Sequence, residues 1–350
     1  MIRILADRMR TGARAARLGC LAAGLLGAGL SAGAARADFT MTILHTGDAA
    51  SRLEPVTADG KPCTVEERAG EGCFGGLARL AGQVAAERAS HRTTLLLNAG
   101  GQFGGSAFWS QHRQQPLVDL MNRIRFDAMG VGYAELREGS ETLGTFIRTA
   151  QFPLLGANVN TDKDPYLKDM IYPMLVTDRS GYRFGLLGIA AEDTTSKANH
   201  APTVRIHSLA EKLPFWIKQM GFMGVTTVIA VSYAGYERDL EIARTVPGID
   251  VIIGANGGTL LGKGRGAKGA YPAVVNGPGG QKVLVAHAGQ FGQYLGKLTV
   301  TFDNAGKPKS WSGEPVLLDR TVPEDPDIRA TVEQLAGALG PRRTEVGAPR

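Results

Sequence analysis

The sequence predicts an α/β domain, and three features carry that prediction. Short apolar runs alternate with amphipathic helical stretches from about residue 40 onward. The strand candidates end in turns of small residues. Glycine is abundant, with 47 residues, while aromatics make up only 7 %, which suits a protein with many tight strand-to-helix turns. A chain of 350 residues that is 43 % hydrophobic has enough apolar side chain for one large core. No apolar run approaches the roughly 18–20 uncharged residues of a membrane span.

Taken in order, residues 42–45 read as the first strand. A helix follows over 75–89, with Leu77, Leu80, Ala81 and Val84 on one face. Residues 94–97 form a buried strand ending at Asn98-Ala99-Gly100-Gly101. A helix over 117–124 leads to a strand at 128–131, and a helix over 140–149 feeds another at 153–157. Strands are expected at 184–189, 227–231 and 251–253, with a helix over 208–220 between the first two. Strands at 283–286 and 297–302 and a terminal helix over 326–339 complete the pattern. The last ten residues, 341–350, read as a disordered tail.

The first 37 residues are of different material. Arg3, Arg8, Arg10, Arg14 and Arg17 form a basic region, residues 18–32 a short Leu/Ala/Gly stretch, and Ala35-Arg36-Ala37 a small-x-small cleavage pattern before Asp38. This is the pattern of a cleavable signal peptide, with cleavage after Ala37 and a periplasmic or secreted mature chain. Cys20 does not make a lipobox, because Arg17-Leu18-Gly19 before it is a poor match. Without this segment the formal charge of +6 nearly vanishes, leaving 33 basic and 32 acidic side chains. The high pI therefore gives no support to nucleic-acid or other polyanion binding. The two remaining cysteines, Cys63 and Cys73, lie close together in a polar stretch and read as a local disulfide.

Ligands of α/β sheets gather where strands end at their carboxyl sides. Five such ends stand out: Gly47-Asp48-Ala49-Ala50, Asn98-Ala99-Gly100-Gly101, Gly132-Tyr133-Ala134-Glu135, Ser232-Tyr233-Ala234-Gly235 and Gly254-Ala255-Asn256-Gly257-Gly258. Read without further context they are small-residue turns. The six histidines are His45, His91, His112, His200, His207 and His287. They are scattered, and none is paired at zinc-site spacing. His287, in a predicted strand, is a candidate to face the crevice between the strand ends. The basic loop at 262–269 lacks the Walker pattern and reads as a solvated loop. No Gly-x-Ser-x-Gly elbow is present.

Several stretches together resemble the bacterial 5′-nucleotidase-type, calcineurin-like metallophosphoesterases. They are Ile43-Leu44-His45-Thr46-Gly47-Asp48, Ser51-Arg52-Leu53-Glu54, Cys73-Phe74-Gly75-Gly76-Leu77-Ala78-Arg79, Ala99-Gly100-Gly101-Gln102-Phe103, Gly235-Tyr236-Glu237-Arg238-Asp239-Leu240 and Pro247-Gly248-Ile249-Asp250-Val251-Ile252. Trp311-Ser312-Gly313 and Pro323-Glu324-Asp325-Pro326 extend the match, which is collinear over roughly residues 40–335. The resemblance implies a four-layer α/β/β/α sandwich forming a single domain over residues 38–340. It also implies a two-metal site in which a bridging carboxylate and an activated water attack phosphorus, and a C-terminal nucleotide-binding domain that is missing here.

Carried over position by position, that site is largely absent. Asp48 is kept, but Ala50 stands where the first motif has histidine. Gly101 replaces the bridging Asp, and Asn98 an upstream Asp. Tyr133 replaces the Asn ligand and Ala134 the catalytic His, while Glu135 remains. Tyr233 replaces another His ligand, and Asn256 and Gly258 replace the last two. Two divalent cations about 3.5 Å apart repel by about 19 kcal/mol even at an effective dielectric of 20, so the bridging anion is indispensable. The expectation is a pseudoenzyme with no cofactor, its two ancestral divalent ions lost, that binds an unknown ligand or an envelope protein. Three alternatives remain. One is a weak oxygen-ligand cation site at Asp48, Glu135, Asn98 and Asn256. Another is a residual metal-dependent hydrolase around Asp48, Glu135 and His287, and the third is a thiosulfate-oxidation-type relative on the same scaffold.

Overall fold

The structure is a computed structural model that describes residues 38–194 and 201–340. The expected signal peptide, the tail at 341–350 and His200 lie outside the described residues. The chain begins with β1 (Phe39–Thr46), the short helix α1 (Val65–Ala69) and α2 (Leu77–Ser90). Next come β2 (Thr94–Asn98), α3 (Ala107–His112), α4 (Gln115–Ile124), β3 (Ala128–Gly130), α5 (Tyr133–Arg137) and α6 (Ser140–Thr149). Strands β4 (Leu154–Leu155), β5 (Val159–Asn160), β6 (Ile171–Tyr172), β7 (Met174–Arg179), β8 (Tyr182–Ala190) and β9 (Arg205–Ile206) follow. Then α7 (Leu209–Phe222), β10 (Val228–Tyr233), α8 (Tyr236–Thr245) and β11 (Val251–Gly254) alternate. Strands β12 (Ala273–Asn276), β13 (Lys282–His287), β14 (Tyr294–Phe302) and β15 (Pro308–Leu317) lead to α9 (Pro326–Gly337).

Two sheets form. The first has the order β15-β14-β1-β2-β3-β4-β6, parallel from β1 to β6, with β14 and β15 added as an antiparallel meander. The second has the order β12-β13-β11-β10-β8-β7, with four parallel central strands and antiparallel edges. The layering follows from the two-residue period of a strand. In the first sheet, Met41, Ile43, Leu95 and Leu97 meet Ile229, Val231, Val251, Ile253 and Leu284 of the second. Their neighbours Leu44 and Leu96 turn the other way, onto α2, α4, α6 and α9. On the far side Leu187, Ala230, Ile252 and Val285 pack under α7 and α8. The result is helices, sheet, sheet, helices: the four-layer sandwich.

The helices cover these faces as their patterns require. The stripe expected on α2 is buried, and Gly76 starts that helix at φ 89°, in the left-handed region where glycine is favoured. On α9, Asp325 caps the first turn by accepting from the N–H groups of Asp327 and Ile328. Three expectations need correction. The strand at 153–157 shrinks to β4: Gly156 N still donates to Tyr172 O of β6 at 2.8 Å, but Ala157 N donates across to Gly188 O of β8 at 2.8 Å, drawing the chain toward the second sheet. The terminal helix stops at Gly337 rather than 339. The turns read at 132–135 and 232–235 run directly into α5 and α8, neither of which was expected as a helix.

Candidate functional site

The parallel strands of both sheets point their carboxyl ends to one side, so the five small-residue turns converge. The loops after β1 and β2 are zipped together: Asp48 N donates to Gly100 O at 2.9 Å, Ala50 N to Gly101 O at 2.9 Å and Ser51 N to Gln102 O at 2.7 Å. Three residues of the first loop, Asp48, Ala50 and Ser51, hold left-handed φ values of 51°, 47° and 54°. Strain of this kind at non-glycine residues gathers at functional sites.

Asp48 lies at the centre. Its Oδ2 accepts from Asn256 N at 2.8 Å and from Gly258 N at 3.3 Å, and the Tyr233 hydroxyl also donates to this carboxylate. Burial raises its pKa, and those hydrogen bonds oppose the rise. Tyr233 is 2 % exposed and lies against three glycines. A Cβ on Gly100 would come within 2.9 Å of its ring, and one on Gly132 within 2.5 Å. A Cβ on Gly101 would sit 2.5 Å from Asp48 Oδ1 and 2.7 Å from the Tyr233 hydroxyl oxygen. The volume next to Gly101 is therefore filled by a phenol. Burial first, then the charges of Asp48 and Glu135, push the Tyr233 pKa upward, so the phenol is neutral. Tyr133 packs on it at 5.6 Å between ring centroids, with the Arg137 guanidinium 5.8 Å over the Tyr133 ring.

Glu135 and Asn98, expected as crevice residues, are fully buried. Glu135 accepts from Gln102 N at 2.6 Å, Gly132 N at 2.9 Å and Gly101 N at 3.3 Å, while burial raises its pKa. Asn98 Oδ1 accepts from Gly100 N at 2.9 Å, and its Nδ2 donates to Thr46 Oγ1 at 2.9 Å. Asn256 Nδ2 donates to Tyr233 O at 3.2 Å. Each of these side chains braces a loop. Ala50 and Ala134 present only methyl groups.

His287 is 1 % exposed and does not line an open crevice. Its Nε2 is 2.8 Å from Asp239 Oδ2, and Asp239 Oδ1 accepts from Ser232 Oγ at 2.5 Å. The Tyr236 ring stands edge-on to the His287 imidazole. A side chain on Gly254 would strike both His287 and Asp239, so glycine is required there. His45 Nε2 bonds the Tyr271 hydroxyl at 2.8 Å, and burial, aided by His287, lowers its pKa to about 3. Sequence reading assigned no role to Asp239. Its signal was present nonetheless: Asp239, Ile242 and Ala243 form the buried stripe of α8, an acid at a core position.

Among the described residues, no three His, Cys, Asp or Glu side chains converge as a metal ion would require. A pocket of 480 Å³ opens beside α9, and one of 510 Å³ opens between α5 and α6, where Arg137 and Glu138 line it. Cys63 and Cys73 are joined in a disulfide. The basic loop folds back on itself through Gly262 N to Gly269 O at 2.7 Å, with Lys263 paired to Glu314 at 2.7 Å.

No protein-family model matches the chain. A snake venom 5′-nucleotidase from Naja atra is 34 % identical over 306 residues, covering 85 % of this chain and 57 % of the venom protein. The crystal structure of a 5′-nucleotidase precursor from Thermus thermophilus superposes with a TM-score of 0.81 at 32 % identity, over 86 % of this chain and 59 % of that one. The Thermus sulfate thiohydrolase SoxB shares the fold at a TM-score of 0.70 and 14 % identity, over 85 % of this chain and 60 % of that one. Layers, strand order and converging loops together define a metallophosphoesterase domain. Within that class, the chain belongs to the 5′-nucleotidase-type, calcineurin-like metallophosphoesterases. It spans about half the length of the curated relatives it matches.

Proposed function

We propose that the chain is an exported, non-catalytic member of its family, a pseudoenzyme that binds a ligand or partner instead of hydrolysing a phosphoester. The observation that carries this reading is the Tyr233 phenol packed against Gly101 and hydrogen-bonded to Asp48. Two divalent ions a few ångströms apart require a bridging anion between them. Gly101 supplies none, and the adjacent space holds an uncharged aromatic ring. The remaining oxygens of Asp48, Glu135 and Asn98 are engaged by backbone N–H groups. This donor set does not fit a two-metal centre, nor the single oxygen-ligand site, and no hydrolytic step follows from it. The likeness to SoxB supports the scaffold and adds nothing to the thiosulfate alternative. The Cys63–Cys73 disulfide supports export, because such bonds persist in oxidising compartments.

The test is hydrolysis of AMP and of p-nitrophenyl phosphate by the chain from Asp38 onward, with Mn²⁺ or Zn²⁺ supplied. The expected rate equals the buffer blank, with Asp48→Ala indistinguishable from the parent. Metal-dependent turnover that disappears in Asp48→Ala would instead establish the residual hydrolase.

A further inference from the structure

Between β5, the start of β6 and α7 lies a cavity of 290 Å³, close to the roughly 300 Å³ at which small-molecule sites begin. Two aromatic rings line it. Phe215 and Trp216 meet edge-on with their centroids 4.8 Å apart, and the Trp216 Nε1–H is anchored to Ala157 O at 3.0 Å. Phe215 is nonetheless 50 % exposed, so a phenyl ring already held in place still faces open space.

The loop from β5 to β6 brings two carboxylates, Asp162 and Asp169, to the same cavity. Neither forms an ion pair among the described residues. Asp162 Oδ2 accepts from Asn160 Nδ2 at 2.9 Å, which fixes the carboxylate and leaves Oδ1 for another donor. Asp169 accepts no hydrogen bond from the described residues. Lys212 and His207 line the cavity as well, but Lys212 is answered by Glu211 at 2.8 Å. Even with His207 protonated, the two aspartates, Lys212 and its partner Glu211 leave the sum of charge negative.

This combination of groups selects an occupant. Anions are repelled by two carboxylates that no cation answers. A bare metal ion finds no three His, Cys, Asp or Glu side chains to hold it among the described residues, and phenyl rings offer it no oxygen ligand. A protonated amine with an apolar body satisfies both halves of the lining. Its N–H groups donate to the carboxylates, while its body and positive charge lie against Phe215 and Trp216.

We infer that this cavity binds a small organic ammonium cation. Its residues lie outside the five converging loops, so the inference does not depend on whether those loops are catalytic.

The experiment is calorimetric titration of the chain from Asp38 onward, which carries the whole described fold, with phenethylammonium chloride. Its neutral and anionic counterparts, 2-phenylethanol and phenylacetate, are titrated alongside. The ammonium is expected to bind at least about tenfold more tightly than the alcohol, and phenylacetate not to bind. Replacing both carboxylates, Asp162→Asn with Asp169→Asn, is expected to weaken the ammonium at least about tenfold. Phe215→Ser is expected to weaken it as well, and none of these variants shifts the melting temperature, because the three side chains are exposed. No binding of the ammonium, equal binding of the alcohol, or full affinity in either the double asparagine or the serine variant overturns the inference.

Discussion

The Tyr233 phenol lies against Gly101 and donates to Asp48, and the proposed loss of the metal site rests on that contact. A buried hydroxyl needs a partner, and Asp48 provides it, so the two residues stabilise each other without a cation. Elsewhere in the core a second carboxylate offers a cleaner measure of what burial does. Asp250 is fully buried, accepts from Val228 N at 2.8 Å and pairs with Lys307 at 2.8 Å. Burial, opposed by Lys307, raises its pKa to about 6. The folded state thus holds this proton more tightly than the unfolded chain does. Its contribution is complete below the unfolded value, and stability is lost as pH climbs from about 4 to about 6. The stability of the parent relative to Asp250→Asn is therefore predicted to fall by on the order of 2 kcal/mol across that window. Urea unfolding at both pH values checks this, and a difference that stays flat or grows contradicts it. At this scale the family resemblance singled out Ala50, Gly101 and Tyr233 as departures from the expected ligand pattern, but not how those positions pack. That a phenol from β10 fills the space beside a glycine after β2 depends on two sheets meeting face to face.

Elements with a sustained apolar stripe were legible, and those held by a single cap or by a distant partner were not. α6 spans the expected 140–149, and α4 begins two residues before its expected start, because each has a clear apolar stripe. α1 escaped notice: it has five residues and depends on Thr64 and Glu67 capping each other. It sits inside the Cys63–Cys73 loop, whose sequence separation is 10. Closing a loop of that length removes unfolded-chain entropy worth roughly 3 kcal/mol. Replacing both cysteines with serine is predicted to lower unfolding free energy by about 2–3 kcal/mol in denaturant titration. A loss below about 0.5 kcal/mol would mean that the surrounding hydrogen bonds, not the bridge, hold this loop. β4 is shorter than its apolar run for the opposite reason, since Ala157 leaves the first sheet to pair with Gly188 of the second.

For the whole molecule, two stacked sheets bring five loops from distant parts of the chain to one rim, while α7 covers the outer face of the second sheet. The scaffold of a metallophosphoesterase persists because its core alternation does not depend on the metal site: Ile43 and Leu97 pack against Ile229 and Ile253 whatever follows each strand. The most direct test of a dismantled centre is metal content by inductively coupled plasma analysis of the purified chain, loaded with Mn²⁺ and Zn²⁺ and then desalted. Near-zero bound metal is the predicted result. Close to two ions per chain would contradict it and return the five loops to catalysis.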